Sequence, residues 1–260
     1  MISTKNFNKE STLFYNPVIH YGSKPNYNKY SIHTNNLITE SFYLGLTGMV
    51  VDHYKHTLLM GHFDPQYRKL FGDLGRREMP EENIKNLIAP GRIDEFKKII
   101  YTINYSIQND SLTRDRGSFF SFNFPLIDFG GEIHPTCFKV IPYLFFPVIS
   151  NKNLWLTYYL FKHTDPDQTA ILTLHSLKQQ QKFYYLFNNE FQGDLSYSIL
   201  SEKEVNILRY CSLGYDEQEI AAIVKTSSGM VRNMKSKVLF KMKVGSTPVA
   251  VTLLKKAGLL

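Results

Sequence analysis

The sequence predicts an α+β protein, an antiparallel-sheet domain with short helices followed by an all-α domain of four helices. Three observations predict it. Aromatic side chains, 19 Phe and 17 Tyr, are concentrated before residue 200, and such side chains suit pleated, half-buried surfaces. Between residues 118 and 161 the apolar positions recur with period two or in short continuous runs, as strands do. After residue 200 the period turns helical and stays so to the end.

Residues 1–35 are rich in Asn, Lys, Ser and Tyr, hold no sustained period and read as an irregular segment. The first domain then spans 36–194. Gly48–Tyr54 and Thr57–Met60 are short apolar runs split by a polar pair, which predicts a β-hairpin. Asp64 with Pro65 behind it opens a short helix whose apolar side is Tyr67, Leu70 and Phe71. Glu81–Leu87 is a second helix. Arg92–Ile107 is a third, with Phe96, Ile99, Ile100 and Ile103 at helical spacing. Phe120, Phe122 and Phe124 alternate along a strand, and Phe129-Gly-Gly-Glu132 is a turn signal. Cys137–Val148 and Leu154–Phe161 supply two more strands. A polar stretch from Asp194 to Leu200 leads into the second domain, 195–260.

Composition narrows the function. Hydrophobic residues make up 43% of the 260, enough for a sizeable core. Cys137 and Cys211 are the only cysteines and lie far apart, so a disulfide framework and a CxxC metal site are both ruled out. The opening residues lack a signal peptide's basic-then-apolar run, and no apolar stretch approaches the ~18 residues of a membrane helix. The expectation is a cytoplasmic protein without membrane association. His20, His33, His53, His56, His62, His134, His163 and His175 are scattered without HxxxH or HExxH spacing, and His53 and His56 read as surface turn residues. There is no phosphate-cradling glycine loop and no GxSxG. No catalytic residue, metal or cofactor is therefore expected, and the protein does not read as an enzyme.

Charge distribution says more than the net +7. After Glu219 no acid occurs through Leu260, whereas Lys225, Arg232, Lys235, Lys237, Lys241, Lys243, Lys255 and Lys256 do. Clustered cations beside a polyanion release counterions on binding, so this end points to nucleic acid. A solvated helix face has the same composition, and charge alone leaves both readings open.

The helical pattern is more specific. Ser201-Glu-Lys-Glu204 is a capping box, flanked by Leu200 and Val205 at the positions of a hydrophobic staple. Ile207, Leu208 and Cys211 continue an apolar stripe, and Gly214 suits a left-handed helix end. Asp216–Glu219 repeats the capping logic for a second helix with Ile220, Ala221 and Val224 inward. Thr226-Ser227-Ser228 caps a third, with Val231, Met234, Val238 and Met242 on one side and Arg232, Lys235, Ser236 and Lys243 on the other. Ser246 and Pro248 open a fourth, which ends at Gly258. Two central helices joined by a short turn, the second with a basic outer face, are what a helix-turn-helix needs, and a helical bundle with an incidental basic face fits the same pattern.

The segment Leu200–Leu260 resembles the LuxR/FixJ-type helix-turn-helix without a gap. Leu200, Ser201, Glu204, Leu208, Gly214, Glu219-Ile220-Ala221, Ser227, Val231, Lys241, Ala250 and Gly258-Leu259 fall in register with it. The resemblance implies a transcription regulator that binds double-stranded DNA as a homodimer. It makes the third helix the recognition helix, with Arg232, Asn233 and Ser236 reading bases. Arg232 suits guanine and Asn233 adenine, because their planar forks match those base edges. Lys225, Ser227, Ser228, Lys235, Lys237 and Lys243 are placed for phosphates, which fix register. Met230, Met234 and Thr247 depart from the Thr, His and Arg common at those positions in the family. Lys203 and Glu204 read as structural.

Element order over Leu44–His163, the FDPQYRKLFG segment and the FNFPLIDFGGEIH hairpin resemble a PAS domain. That implies a sensor or dimerisation module taking a small-molecule or protein partner. Two other readings stay open: a quorum-sensing-type autoinducer-binding regulator, and a non-catalytic protein-interaction module with incidental basic helices.

Overall fold

The computed structural model describes residues 2–4, 46–60, 78–109, 117–145, 154–165, 171–187 and 195–260. It also describes residues 13, 14, 27, 36, 37, 39–41, 43, 44, 67, 70 and 113. The chain forms two compact units, one of Asn8–Ala170 with Ser176–Lys178, the other of Met1–Phe7, Ile171–His175 and Gln179–Leu260. Strand β1 (Ile2–Thr4) opens the chain and belongs to the second unit.

In the first unit, β2 (Thr47–Asp52) and β3 (Thr57–Met60) form the hairpin expected from the split apolar runs. Asp52 builds its turn by accepting the backbone amides of Tyr54 and Lys55, each at 2.9 Å. Strand β4 (Glu78–Met79) adds to β3. Helix α1 (Glu81–Lys85), a 3-10 turn (Pro90–Arg92) and helix α2 (Ile93–Asn109) follow. Then come β5 (Phe119–Ile127), β6 (Ile133–Phe145) and β7 (Leu154–His163). These strands lie in the order β5-β6-β7-β2-β3-β4, every pair antiparallel.

The period-two pattern of β5 buries Phe120, Phe122, Phe124 and Leu126 and leaves the residues between them half-exposed. Helix α2 covers that face with the stripe predicted for it. The Phe96 ring meets those of Phe122, Phe124 and Phe138 edge-on at 6.0, 5.1 and 5.7 Å, while Phe122 and Phe138 stack at 4.7 Å. The edge-on pairs set ring edges against ring faces, where the quadrupoles attract.

Two expectations need correction or restriction here. His53 is not a surface residue: it is 2% exposed, its Nε2 lies 2.8 Å from Thr157 Oγ1, and burial, then His56, pushes its pKa down to about 3. The expected helix at Asp64–Phe71 lies outside the described residues except for Tyr67 and Leu70, both buried.

In the second unit, β8 (Leu172–Ser176), β9 (Gln181–Phe187) and β10 (Leu195–Ser201) continue with β1 in the order β1-β10-β9-β8. Within the polar lead-in expected at 194–200, residues 195–200 belong to a strand, paired on one side with β9 and on the other with residues 2–4. Residues 2–4 pair with Leu195–Tyr197 and β9 with Tyr197–Ser201, so these partners, not its own polar composition, decide its state. Helices α3 (Glu202–Ser212), α4 (Glu217–Ile223), α5 (Ser228–Met242) and α6 (Thr247–Lys256) complete the unit, as the four-helix reading expects.

The strand runs into the helices with no linker. Ser201 ends β10 and caps α3, and its φ of −74° and ψ of 157° suit both roles, since an N-cap residue has extended backbone. Leu200, Val205, Leu208, Val238, Met242, Ala250, Leu254 and Leu259 form one buried cluster, and Ile171, Tyr184 and Leu186 pack against it from the strand side. Among the described residues no helix is long and apolar enough to cross a membrane.

Candidate nucleic-acid interface

The helices that carry the basic face are fixed at their ends by local chemistry. At α3 the Ser201 hydroxyl accepts the Glu204 amide at 3.3 Å, and the Glu204 carboxylate takes the Ser201 amide at 2.8 Å. At α4 the Asp216 carboxylate accepts the amides of Gln218 and Glu219 at 2.8 and 2.9 Å, and Glu219 returns the bond to Asp216 at 2.8 Å. Both capping boxes are as the sequence predicts. Gly214, between these helices, has φ +92°, the left-handed backbone expected of it. At α5 the Ser227 hydroxyl accepts the Met230 amide at 3.2 Å.

A second buried cluster sets how α4 and α5 meet. Ile207 of α3, Ile220 and Ala221 of α4 and Val231 of α5 come together, with Tyr210, Cys211 and Met234 packed beside them. Met234, one of the departures from the family pattern, therefore serves as core. Between α4 and α5 the chain turns at Lys225, which takes a left-handed φ of +53°. The Thr226 amide then closes the turn on the Ala221 carbonyl at 2.9 Å. A tight turn and a shared apolar wedge hold α5 against α4 and leave its opposite face to solvent.

Arg232, Asn233, Ser236 and Lys237 are all exposed, and Ser236 stands three or four residues from Asn233 and Arg232, as Lys237 does from Asn233, so these pairs are neighbours on the helix surface. Lys225 and Ser227 are exposed and Ser228 half-buried at the N-terminal end of the same helix, where backbone amides and the positive end of the helix dipole attract anions. Lys243 lies at the other end as the C-cap, again exposed and left-handed at φ +54°. Lys235 differs from its neighbours: it is half-buried and its Nζ is 3.0 Å from a Glu217 oxygen. Lys241 is turned inward, its Nζ 2.7 and 2.8 Å from the two oxygens of the buried Glu204 carboxylate. This confirms Glu204 as a structural residue.

Two residues at this face were not singled out in the sequence. Phe240 stands 84% exposed, four residues beyond Ser236 on the same side. Glu217, the first residue of α4, holds Arg232 Nε at 3.0 Å with one oxygen and Lys235 with the other. Its neighbours, the Lys235 ammonium first and the Arg232 guanidinium second, hold the carboxyl below the usual carboxylate range. The partners are 15 and 18 residues away, so no helix spacing rule connects them. The available signal was an acidic helix start, Asp216–Glu219, followed by a run of cations.

Elsewhere, Asp128, Glu132 and His134 bring their ligand-type atoms within 4.8 Å of one another at the β5–β6 turn. Asp128 Oδ1 is engaged by the amides of Gly130 and Glu132, both at 2.8 Å, and Oδ2 lies 3.3 Å from His134 Nε2. That arrangement is what a capped hairpin turn requires.

Residues 198–254 match the family described as bacterial regulatory proteins, luxR family (GerE). It is a family of regulators rather than enzymes. No curated protein matches the chain. Among solved structures, a phage VqmA–DPO complex is similar at 12% identity and a TM-score of 0.31, over 88% of this chain and 89% of that one. The dimer of Vibrio cholerae VqmA without target DNA, described as a LuxR-type receptor, is similar at 15% identity and 0.32, over 85% and 87%. A Vibrio cholerae VqmA–ligand–DNA complex is similar at 14% and 0.29, over 88% of each chain.

Proposed function

We propose that this chain, whose residues 198–254 form a LuxR-family helix-turn-helix domain, is a sequence-specific DNA-binding transcription regulator of the cytoplasm that works as a homodimer. Helix α5 enters the major groove. Arg232, Asn233 and Ser236 read bases, while Lys225, Ser227, Ser228, Lys237 and Lys243 hold phosphates; Lys235 joins them once its bond to Glu217 is shared or released. The observation that carries this reading is the exposed face of α5, where two planar forks, a hydroxyl and a cation stand together above a capped helix start. Each base contact is worth about 1–3 kcal/mol of discrimination. One module makes few of them, and a two-fold dimer reading paired half-sites multiplies the specificity.

Residues 36–194 serve as a PAS-like sensor that takes a small molecule or protein partner, ahead of the DNA-binding domain at 195–260. Supporting this are five antiparallel strands in the order β5-β6-β7-β2-β3, with helices inserted between the hairpin and the remaining strands. The buried Asn104 carbonyl oxygen on α2 has no hydrogen-bond partner among the described residues. A ligand donor would satisfy it, as buried acceptors require.

Selection of duplexes from a random pool tests the function. The intact chain is expected to enrich paired half-sites, and Arg232→Ala and Asn233→Ala to relax one position each by roughly five- to a hundredfold. Unselective binding that neither variant alters would overturn the reading.

A further inference from the structure

The geometry points to Glu217 as a specificity-determining residue: we propose that it positions Arg232 for base recognition and withholds Lys235 from the phosphates. This rests on the DNA-reading function above and deepens it. Arginine has several hydrogen-bonding edges, and a long, exposed side chain samples them all. Here the Nε is committed to Glu217 at 3.0 Å, although the Arg232 side chain is 72% exposed. The edge left to meet a base is the terminal pair of nitrogens, whose two parallel donors match the O6 and N7 acceptors of guanine. A carboxylate that fixes which edge is offered fixes which base fits.

The second oxygen of Glu217 acts on affinity rather than on choice. It holds Lys235 at 3.0 Å, the one cation of the expected phosphate set that is half-buried. Glu217 sets a negative charge against the cations Arg232 and Lys235, so it also lowers the attraction for any duplex whatever its sequence. Discrimination and non-specific affinity are thus set in opposite directions by one side chain. Losing the carboxylate should weaken the first and strengthen the second.

The test uses the full chain and compares Glu217→Ala, Glu217→Gln, Arg232→Ala and the double variant Glu217→Ala/Arg232→Ala. Base preference is read by duplex selection, and salt dependence by binding to an unselected duplex. Glu217→Ala is expected to relax the same half-site position as Arg232→Ala, by about five- to tenfold. The double variant should lose no more than Arg232→Ala alone. Glu217→Gln, which keeps an acceptor oxygen, should fall between Glu217→Ala and the parent. On the unselected duplex Glu217→Ala should bind more tightly, with a salt slope steeper by up to about one. A merely structural role would not move the identity of the preferred base. If Arg232→Ala relaxes a position and Glu217→Ala does not, Glu217 has no positioning role and the DNA-reading function still stands. If Arg232→Ala relaxes none, base reading by Arg232 fails and the role of Glu217 falls with it.

Discussion

Glu204 is 4% exposed and still carries its charge, because three groups meet it where water does not. Burial opposes ionisation, but the Lys241 ammonium and the amide and hydroxyl of Ser201 outweigh it, so the carboxyl titrates below its ordinary range. A folded value depressed below the unfolded one adds stability above the unfolded value, near ~4.3, and loses it as pH falls through the folded one. Glu204→Gln should therefore cost about 1–3 kcal/mol at pH 7, much of it from the Lys241 ammonium left without its acid. The difference from the parent should shrink as pH drops below about 4. Denaturant unfolding at several pH values measures this, and a difference that stays constant with pH would remove the ion pair from the account. The residue scale is also where sequence reading succeeded and failed side by side. The capping box made Glu204 legible, whereas burial of His53 against Thr157 had no local sign.

Helices α3, α4 and α5 begin where a side chain replaces a missing backbone partner. Helix α4 is short, only seven residues, and an isolated helix of that length does not persist in water. Its capping box, its two buried residues and the clamp from Glu217 to α5 supply what its length does not. Asp216→Ala removes the acceptor for two amides at once and should destabilise the C-terminal domain by about 0.5–2 kcal/mol in denaturant unfolding. No loss of stability would mean that packing at Ile220 and Ala221 alone holds α4. Strands show the opposite economy. β5 announces itself through alternating phenylalanines, but β10 is made a strand by what pairs with it on either side.

At the scale of the molecule, the helix-turn-helix does not stand apart from a sheet. Ile171, Tyr184 and Leu186 cover the cluster around Leu200 and Leu208, and the Ser198 hydroxyl donates to the Lys241 carbonyl at 2.7 Å. A fragment of residues 171–260 should accordingly melt higher than one of residues 195–260. The difference should be on the order of 2 kcal/mol, since the shorter piece exposes that apolar surface. Equal melting temperatures would show that β8 and β9 contribute nothing to the helices.

The sequence by itself determined the elements whose information is local: the helix caps at Ser201, Asp216 and Ser227, the alternating strand at Phe120–Phe124, the stripe of α2, and a cation-bearing face on α5. Period, cap and charge are each written within a few residues, so they can be read without the fold. Only the tertiary structure decided that 195–201 is a strand, that residues 2–4 border it, that Lys241 faces inward, and that Glu217 holds Arg232 and Lys235. Those facts depend on partners 10 to nearly 200 residues away, and a pairing between such positions leaves no period in either.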